Sequence, residues 1–344
     1  MEGIIYFDFD NKVYFVNENK EIVEVLDNVY GFPTKIEDNQ IICNSLNYKG
    51  ATLNDNPKLL WLNSDLKIKR ELELPYSQHH DYVLKENSVI YLSHHIIEYK
   101  GIKLLDEKIV EVDCAGNVLF EWNMIDHLDY FNLTNEDWDW IKNDCESIDG
   151  HANYLHCNSI TELGDNVLAL QDGRFKADNL LVSSRQLSTV FIIDKHTKEI
   201  VWDLGRNNKR DVMQQTFGQH NPYMLPNGNI ILFDNGSDVG YNIKGRHFSR
   251  VLEINPLTLE VIWFYENPSE FYSRVVSNAL RLDNGNTLIL DGCHRHIFEV
   301  DAGKNIVWDF YLPKEVSKNY SKFIYRVSYM QKDKFENFLA SKAN

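Results

Sequence analysis

Histidine is the residue type whose placement points first to chemistry. His80 in HHDYVL, His156 in LHCNSI and His220 in GQHNPYML each stand at the start of an apolar run, and Ser277 in VVSNALRL holds the same place in a fourth copy. Imidazole exchanges protons near neutral pH, attacks electrophiles and ligates transition metals, so a shared position for several histidines suits any of these tasks. One histidine at a strand start is ordinarily a packing residue; the shared register marks the set as a candidate site. Further polar residues close neighbouring runs: His94 and His95 after VIYLS, Asp234 and Asn235 after ILF, and Asp291, Cys293 and His294 after TLIL. Arg185, Arg246, Arg250 and Arg274 lie in adjoining segments, and guanidinium groups near imidazoles suit an anionic ligand through bidentate contacts. By contrast, His196 lies in the polar turn DKHTKEI and is expected in solvent.

The elements that must position these residues repeat along the chain. One copy reads LPNGNIILFDNG (225–236), SRVLEIN (249–255) and LEVIWFY (259–265). Others begin at LDNGNTLILDG (282–292), LGDNVLALQDG (163–173) and KENSVIYLSHH (85–95), and a weaker one at EDNQIICNS (37–45). Each holds a strand before a tight turn and three after it, the pattern of a propeller blade. The terminal segments 3–8, 12–16 and 21–25, joined by 323–330, supply a further blade and leave no exposed sheet edge. The expectation is an all-β, six-bladed β-propeller, one domain over 1–344, with the ring closed by N- and C-terminal strands in one blade. The acidic, aromatic stretch 125–150 breaks the repeat and reads as a partly helical inserted loop. In such a ring the histidine-bearing strands line the axis.

Composition narrows the partners. A formal net charge of −16 disfavours nucleic acid and anionic membrane surfaces. The start MEGIIYFDFDNKVYFV has no basic segment followed by an apolar one, and no run approaches a membrane span. The scattered cysteines 43, 114, 145, 157 and 293 form no CxxC pair, which fits reduced thiols and a cytoplasmic setting. No P-loop, dinucleotide fingerprint, HExxH or GxSxG string occurs.

LHCNSI (155–160), VSSRQLSTVFIID (182–194), IVWDLG (200–205), QHNPYMLPNGNIILFDNG (219–236), SRVLEI (249–254), FYS (271–273) and LDNGNTLI (282–289) resemble the arylsulfotransferase family. Its members move sulfate directly between phenols without a nucleotide donor. The resemblance spans about residues 78–311 and implies a six-bladed propeller in which a channel histidine is transiently sulfated. It implies His156 (H-x-N-S) and His220 (Q-H) as acid–base residues, and His294, with His296 second, as the nucleophile. The arginine on the sulfuryl oxygens is then Arg246, behind the FDNG string, or Arg185. His80, Asn158, Asp234, Ser277 and Arg274 become substrate-binding residues, the substrate a small aromatic molecule and no cofactor is needed. Asn153 and Tyr154 stand where the family often carries an acidic–aromatic pair. Two other functions fit the same residues: a lyase or oxygenase whose transition-metal ion is held by His80, His156, His220 and His294, and a non-catalytic propeller that binds a ligand or partner.

Overall fold

A computed structural model of the chain describes residues 2–44, 57–205, 215–316 and 322–341. The repeats become antiparallel sheets, and the protein is a six-bladed β-propeller. Its described residues group into two compact units, one of 2–44, 57–75 and 275–341 and one of 76–205 and 215–274.

The first unit contains the closing blade. Strand Val327–Met330 pairs with Ile4–Phe9 in the register Ile4↔Met330 to Phe7↔Val327, and Lys12–Val16 and Ile22–Asp27 follow outward. Both chain ends therefore share one sheet, as the terminal segments predict, although residues 323–326 are not strand. Its second blade is Tyr30–Glu37, Gln40–Asn44, Lys58–Leu62 and Ile68–Glu73; Ser45, the last residue of the predicted 37–45 segment, lies outside the described residues. The third blade of this unit is Asn278–Arg281, Thr287–Asp291, His296–Val300 and Ile306–Tyr311.

The second unit carries the strands Gln78–Leu84, Ser88–Tyr99, Ile102–Asp113 and Val118–Asn123; then Cys157–Glu162, Leu180–Ser184, Thr189–Ile193 and Ile200–Leu204; then His220–Met224, Ile230–Asp234, Arg250–Ile254 and Val261–Glu266. Two devices explain the sequence repeat. In the NGN turns both asparagines donate to one glutamate: Asn227 and Asn229 Nδ2 reach Glu253 Oε1 at 3.2 and 2.7 Å, and Asn284 and Asn286 reach Glu299 Oε1 at 3.1 and 2.7 Å. The recurring tryptophan of the outer strand ties neighbouring blades. Trp122 Nε1 donates to Lys198 O, Trp202 Nε1 to Pro256 O and Trp308 Nε1 to Glu18 O, each at 2.9 Å. The large rings are thus buried with their one polar atom satisfied.

One blade departs from the pattern in a way that matters for the site. The sequence suggests separate short runs in KENSVIYLSHH (85–95) and KIVEVD (108–113), with a gap between them. Instead Ser88–Tyr99 and Ile102–Asp113 form one continuous hairpin, turned at Lys100 (φ 52°) and Gly101 (φ 71°). Two consecutive left-handed residues make the tight turn whose twist matches the flanking strands. The inserted stretch is partly helical, with a short 3-10 helix Met124–Phe131 and an α-helix Asn135–Asn143 opened by a Thr134/Asp137 capping box.

Candidate metal centre and histidine cluster

Hairpin register builds the first part of the site. Glu107 lies directly opposite His94, and Asp106 opposite His95, so alternation sends the first pair to one face of the sheet and the second to the other. On the adjacent strand the ladder breaks between Gln78 and Tyr82, and His80 adopts φ 51°. This bulge re-aims the side chains that follow it and brings His79 to the face occupied by His94 and Glu107. The His79 and His94 rings stack at 3.6 Å, nearly parallel. His79 Nε2 is 3.1 Å from Glu107 Oε2, and His94 Nε2 is 3.4 Å from Glu107 Oε1. Ligand atoms of His79, His94 and Glu107 all fall within 4.8 Å of one another, the one such group among the described residues.

The group is sealed: His79 and Glu107 are 1% exposed and His94 is 5% exposed. The Cys157 backbone N–H donates to Glu107 Oε1 at 2.7 Å, which orients the carboxylate. Burial opposes the charge on Glu107, but the two imidazoles against it hold its carboxyl well below the usual carboxylate range. Two imidazoles and one carboxylate form a ligand set used by zinc and non-haem iron alike, with further coordination positions left for water or substrate. This buried cluster is able to bind a metal ion.

A second set of imidazoles adjoins it. His80 Nδ1 meets His79 Nδ1 at 2.8 Å, and the His80 ring lies 4.8 Å from that of His156. His156 Nδ1 is held by the Asn153 amide at 2.7 Å. The backbone device recurs, since His156 also sits at φ 51° beside a register break, and Asn221 at φ 47° follows His220 beside another. Burial pushes both His80 and His156 well below the ordinary imidazole value; neighbouring histidines, His220 among them, add to the shift at His80, and Arg185 adds to it at His156.

His220 has a defined tautomer. Its Nδ1 faces Gly218 O at 3.0 Å and Asn235 Oδ1 at 2.7 Å, and the Asn235 amide is oriented by donating to Ser273 O at 2.7 Å. Two oxygen acceptors require a proton on Nδ1, so in the neutral ring Nε2 carries the lone pair. Arg185 is half-buried; burial lowers its pKa, with Glu146, Arg274 and Tyr272 as its charged or polar neighbours. Its Nε is buried without a hydrogen-bond partner.

The remaining sequence candidates have other surroundings. Asp234 is fully buried and receives Arg246 Nη2 at 2.7 Å, Arg250 Nη2 at 2.9 Å and the Phe217 N–H at 2.8 Å. Asn158 Nδ2 donates to Gln219 O at 2.8 Å, and Gln219 in turn donates to Ser183 Oγ and to the carbonyls of Ser184 and Thr189. Parts of the H-x-N-S, S-S-R-Q and Q-H strings thus lock one another together. Arg274 is exposed. In the other unit, His294 is exposed and hydrogen-bonded to Asp291 Oδ2 at 2.8 Å, and Ser277 is buried and accepts from the Gly292 N–H. His296 is stacked against Tyr311 at 3.9 Å, and His196 is exposed, as its polar turn suggests.

Of the three candidate ligands, only His94 is marked by its place in the sequence. His79 was overshadowed by its neighbour His80, and Glu107 lay in a presumed gap. The available signal was DEK at 106–108 inside a β-rich segment, three ionisable residues that are all buried. Such a breach of strand patterning tends to mark function.

The sequence pattern of Arylsulfotransferase (ASST) matches residues 64–326. No curated protein matches the chain. Among solved structures, a Bacteroides caccae protein of unknown function aligns with TM-score 0.52 and 14% identity over 96% of this chain and 100% of its own. A streptogramin B lyase aligns with TM-score 0.47 and 12% identity, over 90% of this chain and 80% of its own. Apo AztD from Citrobacter koseri follows with TM-score 0.45 and 9% identity, over 96% and 99%. At such identities structural likeness speaks to fold alone. The sequence pattern reaches further: it runs through the segments bearing His80, His156 and His220, and over that length the chain belongs to the arylsulfotransferase family.

Proposed function

We propose that the protein is a metal-dependent propeller enzyme. Its ion is held by His79, His94 and Glu107, and its small anionic aromatic substrate is bound beside His80, His156, His220 and Arg185. The observation that supports this most directly is the approach of His79 Nε2 to Glu107 Oε2 at 3.1 Å, in a sealed site where neither atom has a hydrogen-bond partner. Buried polar atoms are normally satisfied, and a shared cation would satisfy both. His79, His94 and Glu107 would hold a divalent ion, which would supply Lewis acidity and a more acidic bound water. His220 contributes a lone pair at Nε2 with its ring orientation fixed, the requirement for a general base. Arg185 offers an N–H to an anionic substrate group, and the substrate class follows from family membership. The cysteines are free thiols, in keeping with the cytoplasmic placement read from the sequence.

A second reading is the sulfuryl transfer typical of the family. It is favoured by the lowered pKa of His156, the Nδ1–H donation of His220 to oxygen acceptors and the half-buried Arg185, which together suit acid–base work on a phenol and binding of sulfuryl oxygens.

Elemental analysis of the untagged protein, paired with release of nitrophenol from its sulfate ester with and without chelator, separates the two. Stoichiometric metal that disappears in His79→Ala and Glu107→Gln supports the metal enzyme. Metal-free protein that transfers sulfate to a second phenol, unaffected by chelator, overturns it in favour of sulfuryl transfer.

A further inference from the structure

We infer that His80 is the positioning residue of the metal centre, acting through His79 to set which nitrogen of that ligand faces the ion. The inference rests on the metal-centre reading above.

The argument begins with proton counting. His79 presents Nε2 toward Glu107 and Nδ1 toward His80 Nδ1, 2.8 Å away. A neutral imidazole carries one proton, and a ligating nitrogen must carry none. With Nε2 as the ligand, the proton of His79 is on Nδ1 and is donated to His80 Nδ1. His80 is then the acceptor, with its own proton on Nε2. The two rings are nearly perpendicular, at 87°, so the lone pair of one can receive the N–H of the other roughly in its plane. Hydrogen bonds to the outer nitrogen of a metal-bound histidine fix its tautomer and orientation and raise its basicity.

The backbone at position 80 explains how two adjacent residues of one strand can meet through their side chains. In regular strand geometry neighbours point to opposite faces. At φ 51°, inside the register break, His80 leaves that alternation and its ring reaches both His79 and His156. His80 therefore joins the sealed centre to the neighbouring imidazoles.

The test compares zinc affinity, by competition with a chromophoric chelator, and the visible spectrum of the cobalt(II) form in wild type, His80→Gly and His80→Asn. Glycine and asparagine both accept a left-handed backbone, so neither replacement strains the turn. Asparagine can place Oδ1 near the site of Nδ1 and still accept from His79; glycine cannot. The expected result is a loss of roughly 10–100-fold in zinc affinity for His80→Gly with an altered cobalt spectrum, and recovery of most of the affinity and of the wild-type spectrum in His80→Asn. His80→Ala gives the same comparison if His80→Gly does not fold. Zinc binding as tight in the glycine or alanine variant as in wild type overturns the inference while leaving the metal enzyme intact, and so does an asparagine variant as weak as the glycine one. Wild type that binds neither zinc nor cobalt overturns both.

Discussion

His79 Nε2 and Glu107 Oε2 lie 3.1 Å apart in the interior of the hairpin blade, at hydrogen-bond distance but without hydrogen-bond geometry. Ligands that share an ion approach in this way, since each aims at the ion and not at the other. Metal bound only by the folded state stabilises it by about 2.7 kcal/mol at a free concentration of 100 times Kd. Chelator should therefore lower the thermal midpoint of wild type and leave that of Glu107→Gln unchanged. Scanning calorimetry of both proteins, with zinc and with chelator, checks this.

His220 is expected to carry its proton on Nδ1, because Gly218 O and Asn235 Oδ1 both require a donor there. The ring 15N shifts of the neutral imidazole should show a protonated Nδ1 and an unprotonated Nε2. Asn235→Ala should keep this tautomer, since the Gly218 carbonyl is backbone. On any aryl substrate that is turned over, His220→Ala should lower kcat/KM by roughly 10²–10⁴, the usual contribution of acid–base catalysis.

Glu253 receives both asparagines of the Asn227–Asn229 turn. Glu253→Ala leaves two donors without that acceptor, and an unsatisfied partly buried group costs about 1–3 kcal/mol. Urea unfolding should show a lower midpoint for Glu253→Ala, with Glu253→Gln falling between it and wild type because the amide oxygen still accepts.

Asp8 gives a pH signature. Burial raises its carboxyl from 3.8 to about 6, against the opposing hydrogen bonds from the Thr34 hydroxyl and N–H. A folded-state pKa above the unfolded one means that the native state holds the proton more tightly. The contribution is present below 3.8 and lost as pH rises through about 6. Asp8→Asn cannot lose that proton, so its stability relative to wild type should increase between pH 4 and pH 7. Denaturant midpoints of both proteins at the two pH values test the sign.

The blades were legible in the sequence because their causes are local. NGN turns bind a glutamate a strand away, the outer-strand tryptophans recur at a constant place, and apolar runs of strand length separate them. Closure was legible as well, since GIIYFD and FIYRVSYM are β-rich ends that a ring must pair.

The candidate metal centre could not be read that way. His79, His94 and Glu107 come from three strands, and their meeting depends on two facts of register. One is the pairing of His94 with Glu107, set by the Lys100–Gly101 turn. The other is the bulge after Gln78, which moves His79 and His80 out of simple alternation. A one-residue slip in a strand sends each side chain to the opposite face. Residue types and spacing therefore determined which groups were available for chemistry, and cross-strand register, a long-range property, decided that His79, His94 and Glu107 share one face.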